Sequence, residues 1–433
     1  MSWSRGIQGA TGSGGAFITL RPIAARIDAG SPSTPATAAA QPAIGDGPTP
    51  ADPAAERQQA REAYHRGAPR EATTILTRLI ATATAMGAVQ ADDHLFLGLT
   101  LSAEGRIAEA IVTLRAGLAR FPSIAALHEN LGVLLLAADQ PAEAIAACEQ
   151  ALALGSDSPN VLDCLTDASA RIGRFDLAVV HGRQALEAKD RMFGGRPRLT
   201  EVPPTPPAAF NPSDPAGNVI AYSLWGNEPR YHVPLLENAR ILQHLFPGWT
   251  MRVYHDATVD PAYLEHLRAR GVALRPMALP PGLPVHRKLL WRFDVAADPS
   301  VRRFLCRDAD SLLTVKERVA VDAWLASAFP FHAMRDWYTH TDLLLAGMWG
   351  GVGGILPPVE TLLTAYHGWR VEHDHVDQDM LSETVWPILR GHVLIHDSIF
   401  APCLGSVPFP PFGALPAGMH IGQNAFLHFR LAE

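Results

Sequence analysis

The feature that most constrains this chain is a recurrence of small residues every 34 positions. Gly98 and Gly132 are 34 apart, as are Leu97 and Leu131, and Ala110 and Ala144. The next step carries Ala144 to Ala178 and Ala151 to Ala185. Turn-forming pairs keep the same phase: Gly105-Arg106, Asp139-Gln140 and Gly173-Arg174. A degenerate earlier copy, Gly67-Ala68-Pro69-Arg70-Glu71-Ala72, comes into phase only with a four-residue insertion. Pro122 falls where a second helix has to stop. Such a period in Ala- and Leu-rich sequence calls for repeated helix pairs. Small residues let the two helices of a pair approach closely, and each pair buries its apolar face on the next.

This stretch, roughly residues 56–190, resembles the tetratricopeptide repeat (TPR) family, whose period is about 34 residues. The resemblance implies an all-α solenoid whose groove takes a protein partner. It says little about which partner, because such arrays serve many.

Composition narrows the rest. The 433 residues are 48% apolar and 18% charged, enough for two or three domains with real cores. The net charge of −7 argues against broad nucleic-acid binding and against a polybasic membrane anchor. Cys148, Cys164, Cys306 and Cys403 show no C-x-x-C spacing, which points to reduced thiols and no structural zinc. No run approaches the roughly 18 apolar residues of a membrane helix, and Ala16–Leu20 is too short for a signal-peptide core. The expected location is the cytoplasm. Residues 1–54, rich in Ala, Pro, Gly, Ser and Thr, read as a disordered tail, or as an over-long start with the true one further in.

A second proline-rich stretch at 191–217 reads as a stiff linker. From 218 to 433 short apolar runs alternate with amphipathic segments: strands at Val219–Leu224, Met251–Tyr254, Phe304–Arg307, Phe331–Met334 and Val393–Ile395, helices at Val233–Leu245 and Pro261–Arg270. That alternation predicts an α/β domain, a mostly parallel sheet flanked by helices.

Within it, the run Arg302–Cys306 ends in Arg307-Asp308-Ala309-Asp310. Extended residues i and i+2 share a side, so Asp308 and Asp310 can converge on a hard cation, Mn²⁺ or Mg²⁺, at the carboxyl edge of a sheet. The pattern by itself is weak, since Asp377-Gln378-Asp379 repeats it. Lys288 and Arg292, four apart, would share a helical face and neutralise a diphosphate. The plainer alternative is a solvated basic face with Trp291 and Phe293 in the core. The glycine-rich Ala346–Gly354, with Gly350 and Gly351, would let a ligand approach backbone, or serves only as a hinge. It lacks the phosphate-loop pattern of ATPases. Asp377 and Asp379 open a helical segment, where one caps the helix and one contacts a sugar or assists an acceptor nucleophile. His373, Asp374 and His375 lie just before them. Either His396 or His420 could complete a metal shell, His420 in preference; for each singly a structural role competes.

Taken in order, Tyr222-Ser223-Leu224-Trp225-Gly226, Pro229-Arg230-Tyr231, Lys288 and Arg292, the Asp-x-Asp strand, the glycine-rich segment and Asp377-Gln378-Asp379 resemble a bacterial GT-A-type glycosyltransferase domain over about 219–425. The resemblance implies that Asp308 and Asp310 hold the metal on a nucleotide-sugar donor. Lys288 and Arg292 would face its phosphates, and Asp377 would lie on the sugar side, with Tyr222 as the donor-side aromatic. The acceptor, glycan or protein, stays open. The competing expectation is a non-catalytic TPR scaffold whose second domain kept the fold but not the chemistry, and a third is a nucleotide-sugar hydrolase.

Overall fold

The computed structural model describes residues 52–366, 375–413 and 419–425. They fall into two units divided between Ala178 and Val179.

The first unit is built of helices: α1 (Pro53–His65), α2 (Pro69–Ala85), α3 (Ala91–Ala103), α4 (Ile107–Arg120), α5 (Ala125–Ala137), α6 (Pro141–Ala153), α7 (Pro159–Arg171) and the start of α8 (Phe175–Phe193). The turn inside each pair explains the period. Gly67, Gly105, Asp139 and Gly173 all have positive φ, between 56° and 79°. The residue after each donates its N–H to a carbonyl five positions back, as Arg106 does to Leu101 at 2.9 Å and Gln140 to Leu135 at 2.9 Å. This helix-ending motif needs a left-handed residue, which Gly accepts freely and Asp tolerates. The insertion is one further helical turn: α2 has 17 residues where α6 has 13.

The phased glycines mark helix crossings. A Cβ on Gly98 would come within 2.8 Å of Leu114, and one on Gly132 within 2.4 Å of the Cys148 sulfur. Leu114 and Cys148 are themselves one period apart. Ala110, Ala144, Ala151 and Ala168 are fully buried beside them. These are the paired TPR-type helices that the period dictates.

The second unit is built on one sheet: β1 (Asn218–Leu224), β2 (Thr250–His255), β3 (Ala273–Pro276), β4 (Arg303–Cys306), β5 (Phe331–Arg335), β6 (Trp349–Val352) and β7 (Val393–Asp397). Their spatial order is β3-β2-β1-β4-β6-β5-β7. All neighbours are parallel except β6, which runs antiparallel to both β4 and β5. β1 is buried at every position. Val219 and Ala221 enter one core with Phe304 and Trp349, while Ile220, Tyr222 and Leu224 enter another with Leu235, Ala239 and Leu242 of the helix α9 (Pro229–Leu245). A strand covered on both faces reads as a continuous apolar run, as this one does.

The proline-rich 191–217, expected as a spacer, lies within this sheet unit. Phe193 and Val202 join its core, and Phe210 stacks on Trp249 at 5.6 Å. Arg198 donates to Pro387 O at 3.1 Å, Arg303 donates to Ala208 O, and Asn218 donates to Asn211 O at 2.9 Å. Prolines bring carbonyls without N–H donors, and side chains of the sheet unit satisfy several of the stretch's carbonyls. The division of the chain accordingly falls before residue 190, inside α8. Among the described residues no helix is long and apolar enough to cross a membrane.

Candidate active site

In this sheet the chain runs outward in opposite directions from the β1–β4 pair: β2 and β3 lie to one side, β4 and its neighbours to the other. That reversal opens a crevice beyond the carboxyl ends of β1 and β4, where open α/β sheets bind ligands. Arg307-Asp308-Ala309-Asp310 leaves β4 at this point, fixed by the Arg307 N–H donating to Ala221 O at 3.0 Å.

Arg292 is the hub. It lies 2% exposed on the segment Val285–Ala296, pinned by its own N–H donating to Ser223 Oγ of β1 at 3.0 Å. Nη1 donates to Asp308 Oδ1 at 2.5 Å and to Arg307 O at 3.2 Å, and Nη2 donates to Asp377 Oδ2 at 2.8 Å. Arg230, exposed in the first turn of α9, donates to Asp310 Oδ2 at 3.1 Å. Burial, then the charge of Asp308, push the Asp310 carboxyl up to about 6 against the pull of Arg230. Burial also pushes Asp377 above its usual range, against Arg292.

Several sequence expectations change here. Val285–Ala296 is a 3-10 helix, with three residues per turn, so residues four apart are turned by roughly 120°. Lys288 and Arg292 therefore do not share a face. Lys288 pairs with Asp256, just past β2, at 2.6 Å, with its ammonium 6.0 Å from the Trp225 ring. Both cations meet carboxylates of the chain instead of standing open to a diphosphate.

Tyr222 is fully buried in the sheet core and offers a ligand no face. The half-buried Trp225, just beyond the end of β1, is one aromatic beside the crevice, and Tyr231, under the Arg230 guanidinium at 4.6 Å, is another. Gly350 and Gly351 sit mid-strand in β6, where a Cβ would meet Phe304 O at 2.3 Å or the Phe331 ring at 2.4 Å. Strand packing accounts for them. The glycine that touches the site is Gly347, whose Cβ would fall 1.9 Å from Asp308 Oδ2.

Asp377 is 4% exposed and tied to Arg292, so it braces the arginine that holds Asp308. Asp379 lies on the same short helix, Val376–Met380, and two residues on it is turned by about 200° from Asp377. His420 lies on Trp337, ring centroids 4.9 Å apart. Among the described residues no group of three or more His, Cys, Asp or Glu is set to hold a metal, so His420 does not complete a shell with Asp308 and Asp310. His396 is hydrogen-bonded to His332 at 2.8 Å within the sheet. His373 and Asp374 lie outside the described residues.

Arg230 was available to sequence reasoning. A cation in the first turn of a helix opposes the helix dipole and wants a reason elsewhere. Gly347 and Asp256 carried no comparable signal.

No family model matches the chain, and no curated protein matches it. Among solved structures it is similar to a variant of the O-GlcNAc transferase of Thermobaculum terrenum, at 23% identity and a TM-score of 0.34, over 52% of this chain and 41% of that one. The chain thus spans less than half the length of that protein. It is also similar to TTC0263, a TPR protein of Thermus thermophilus, at 25% identity and a TM-score of 0.28, over 32% of this chain and 75% of that one. MamA is matched at 20% identity and a TM-score of 0.31, over 33% of this chain and 81% of that one. With TM-scores this low, the fold assignment rests on the elements described above.

Proposed function

We propose that the sheet unit is a metal-dependent glycosyltransferase, moving a sugar from a nucleotide-sugar donor to an acceptor, and that the helical array recruits a protein partner. The observation that carries this reading is the placing of Asp308 and Asp310 at the β1–β4 crevice, each with one oxygen engaged by an arginine. The donor set suits a hard divalent cation such as Mn²⁺ or Mg²⁺, which Asp308 and Asp310 would hold, and the missing side chain of Gly347 leaves the space that the Asp308 carboxylate occupies. When bound, such an ion would offset charge on a departing diphosphate.

The chain's own residues divide the remaining work. Arg292 fixes the Asp308 carboxylate against Asp377, and Arg230, at the exposed rim, is the cation placed to turn from Asp310 toward a phosphate. The bond from the anomeric carbon to the diphosphate oxygen breaks, the anomeric carbon bonds to the acceptor oxygen, and the acceptor hydroxyl gives up its proton to the departing diphosphate or to water. Trp225 supplies an aromatic face near the end of β1 for the donor.

One observation favours a second reading, a binding module that kept the fold alone. Lys288 and Arg292 are both committed to carboxylates of the chain. One experiment separates the two: release of nucleoside diphosphate from a panel of nucleotide sugars with Mn²⁺. Release that falls away in Asp310→Asn and in Arg230→Ala supports the transferase. A parent protein that neither binds nor cleaves any donor supports the module.

A further inference from the structure

A second cluster on the same edge of the sheet has no part in the chemistry above. β5 runs parallel to β4, since β6 is antiparallel to both. The loop leaving β5 after Arg335 therefore emerges at the edge that carries Asp308 and Asp310. It begins Asp336-Trp337-Tyr338-Thr339-His340.

Its base is rigid and its top is aromatic. Asp336, 4% exposed, pairs with Lys316 through Oδ1 and accepts the Ile421 N–H through Oδ2 at 2.8 Å. The Asp336 N–H donates to His340 Nδ1 at 2.9 Å. On this floor Trp337 and Tyr338 are half-buried, their rings edge to face at 5.7 Å, and His420 stacks on Trp337 at 16° between planes. Rings held this way bind without first having to be ordered.

The ledge is tied to the site by a short piece of chain. Five residues after His420, the Ala425 N–H donates to Asp310 O at 2.8 Å, and Asn424 bridges to Ser311. Five residues span at most about 18 Å, so the ledge lies within reach of a short oligomeric substrate whose end sits at Asp310.

We infer that Trp337, Tyr338 and His420 form the acceptor subsite, and that its ligand is a saccharide. The inference rests on the transferase reading for the word acceptor, while the binding chemistry stands apart from it. A sugar ring presents a flat face of C–H bonds and a rim of hydroxyls. Rigid aromatic faces suit the first, and the neighbouring Thr339 and Gln423 suit the second. A lipid would want a broad apolar patch. None of the sheet unit's most exposed apolar side chains lies in 336–348 or 419–425, among the described residues.

The test uses the full chain and two readouts. Tryptophan fluorescence is titrated with lactose, cellobiose, maltotriose and chitotriose, and separately with a decyl-chain detergent below its micellar concentration. Donor-dependent transfer to the same saccharides is measured in parallel. Saccharide should change the fluorescence of the parent. Trp337→Ala should weaken saccharide binding about tenfold, Trp337→Phe much less, and Phe329→Ala, an exposed aromatic elsewhere, not at all. In transfer, Trp337→Ala should raise the saccharide KM with a smaller change in kcat. Binding of the detergent with no response to any saccharide overturns the inference, as does a folded Trp337→Ala that binds saccharide as the parent does. Saccharide binding that depends on Trp337 in a protein that cleaves no donor supports the ledge and overturns the transferase reading alone.

Discussion

Arg292 and Asp377, 85 residues apart in the chain, meet at 2.8 Å in a pair that water scarcely reaches. The same guanidinium holds Asp308 at 2.5 Å, so one cation ties the 3-10 segment, the end of β4 and the helix after residue 375 into a single cluster.

Removing that cation leaves two carboxylates behind, one of them buried. Arg292→Ala should therefore destabilise the sheet unit by about 3–5 kcal/mol, read as a lower urea midpoint for loss of near-ultraviolet circular dichroism. Arg292→Lys keeps the charge but not the fork, and should lie between the two. An Arg292→Ala protein as stable as the parent would remove the cluster from the account of the fold.

Asp308 and Asp310 should separate binding from folding. The double Asp→Asn change keeps shape and removes the charge that a divalent ion needs, so Mn²⁺ should no longer raise the melting temperature in the presence of a nucleoside diphosphate. The parent should gain several degrees under the same conditions. Equal gains in both would end the metal assignment.

Gly347→Ala places a methyl where Asp308 Oδ2 now lies. We expect a cost of about 1–3 kcal/mol from overpacking and a larger loss of donor cleavage than Gly351→Ala causes, although both are tight sites. Equal effects on cleavage would mean that Gly347 matters only for packing.

The histidine pair predicts a pH dependence of stability. Burial lowers His396 from its ordinary 6.5 to about 4, and His332, deeper still, goes the same way. Below 6.5 the unfolded chain takes up protons that the folded pair refuses. Stability from His396 is thus full above that pH and is lost as pH falls toward 4. Between pH 7 and pH 5 its share should be on the order of 2 kcal/mol. His396→Gln should remove that share of the pH dependence, as read from urea midpoints at the two pH values.

In the array, Asp139 occupies a left-handed position that Gly105 and Gly173 fill at the same phase. Asp139→Gly should gain about 0.5–1 kcal/mol, while Gly105→Ala should lose a similar amount. A loss on both changes would show that Asp139 is there for what its side chain does.

Much of the fold was legible in local pattern. The 34-residue phase located the turns at Gly105, Asp139 and Gly173, and the four-residue insertion appeared as one turn of α2. Apolar runs located β1, β2, β4, β5 and β7 to within a residue or two. β3, four residues with little apolar character, carried no such signal, and β6 stood out in the sequence only as a glycine-rich segment.

The sequence alone determined that helix pairs would stack and that two aspartates would follow a buried strand, because both depend on spacing along one chain. Tertiary structure decided what each polar group meets. Tyr222 became core because α9 covers that face of β1. Gly350 became packing because Phe304 lies across it, while Gly347 came to lie against Asp308. Arg292 turned toward Asp308 and Asp377 because its helix has three residues per turn and Ser223 pins it. Charge pairing and close approach act between elements distant in sequence, and spacing along the chain cannot encode which of them will be neighbours.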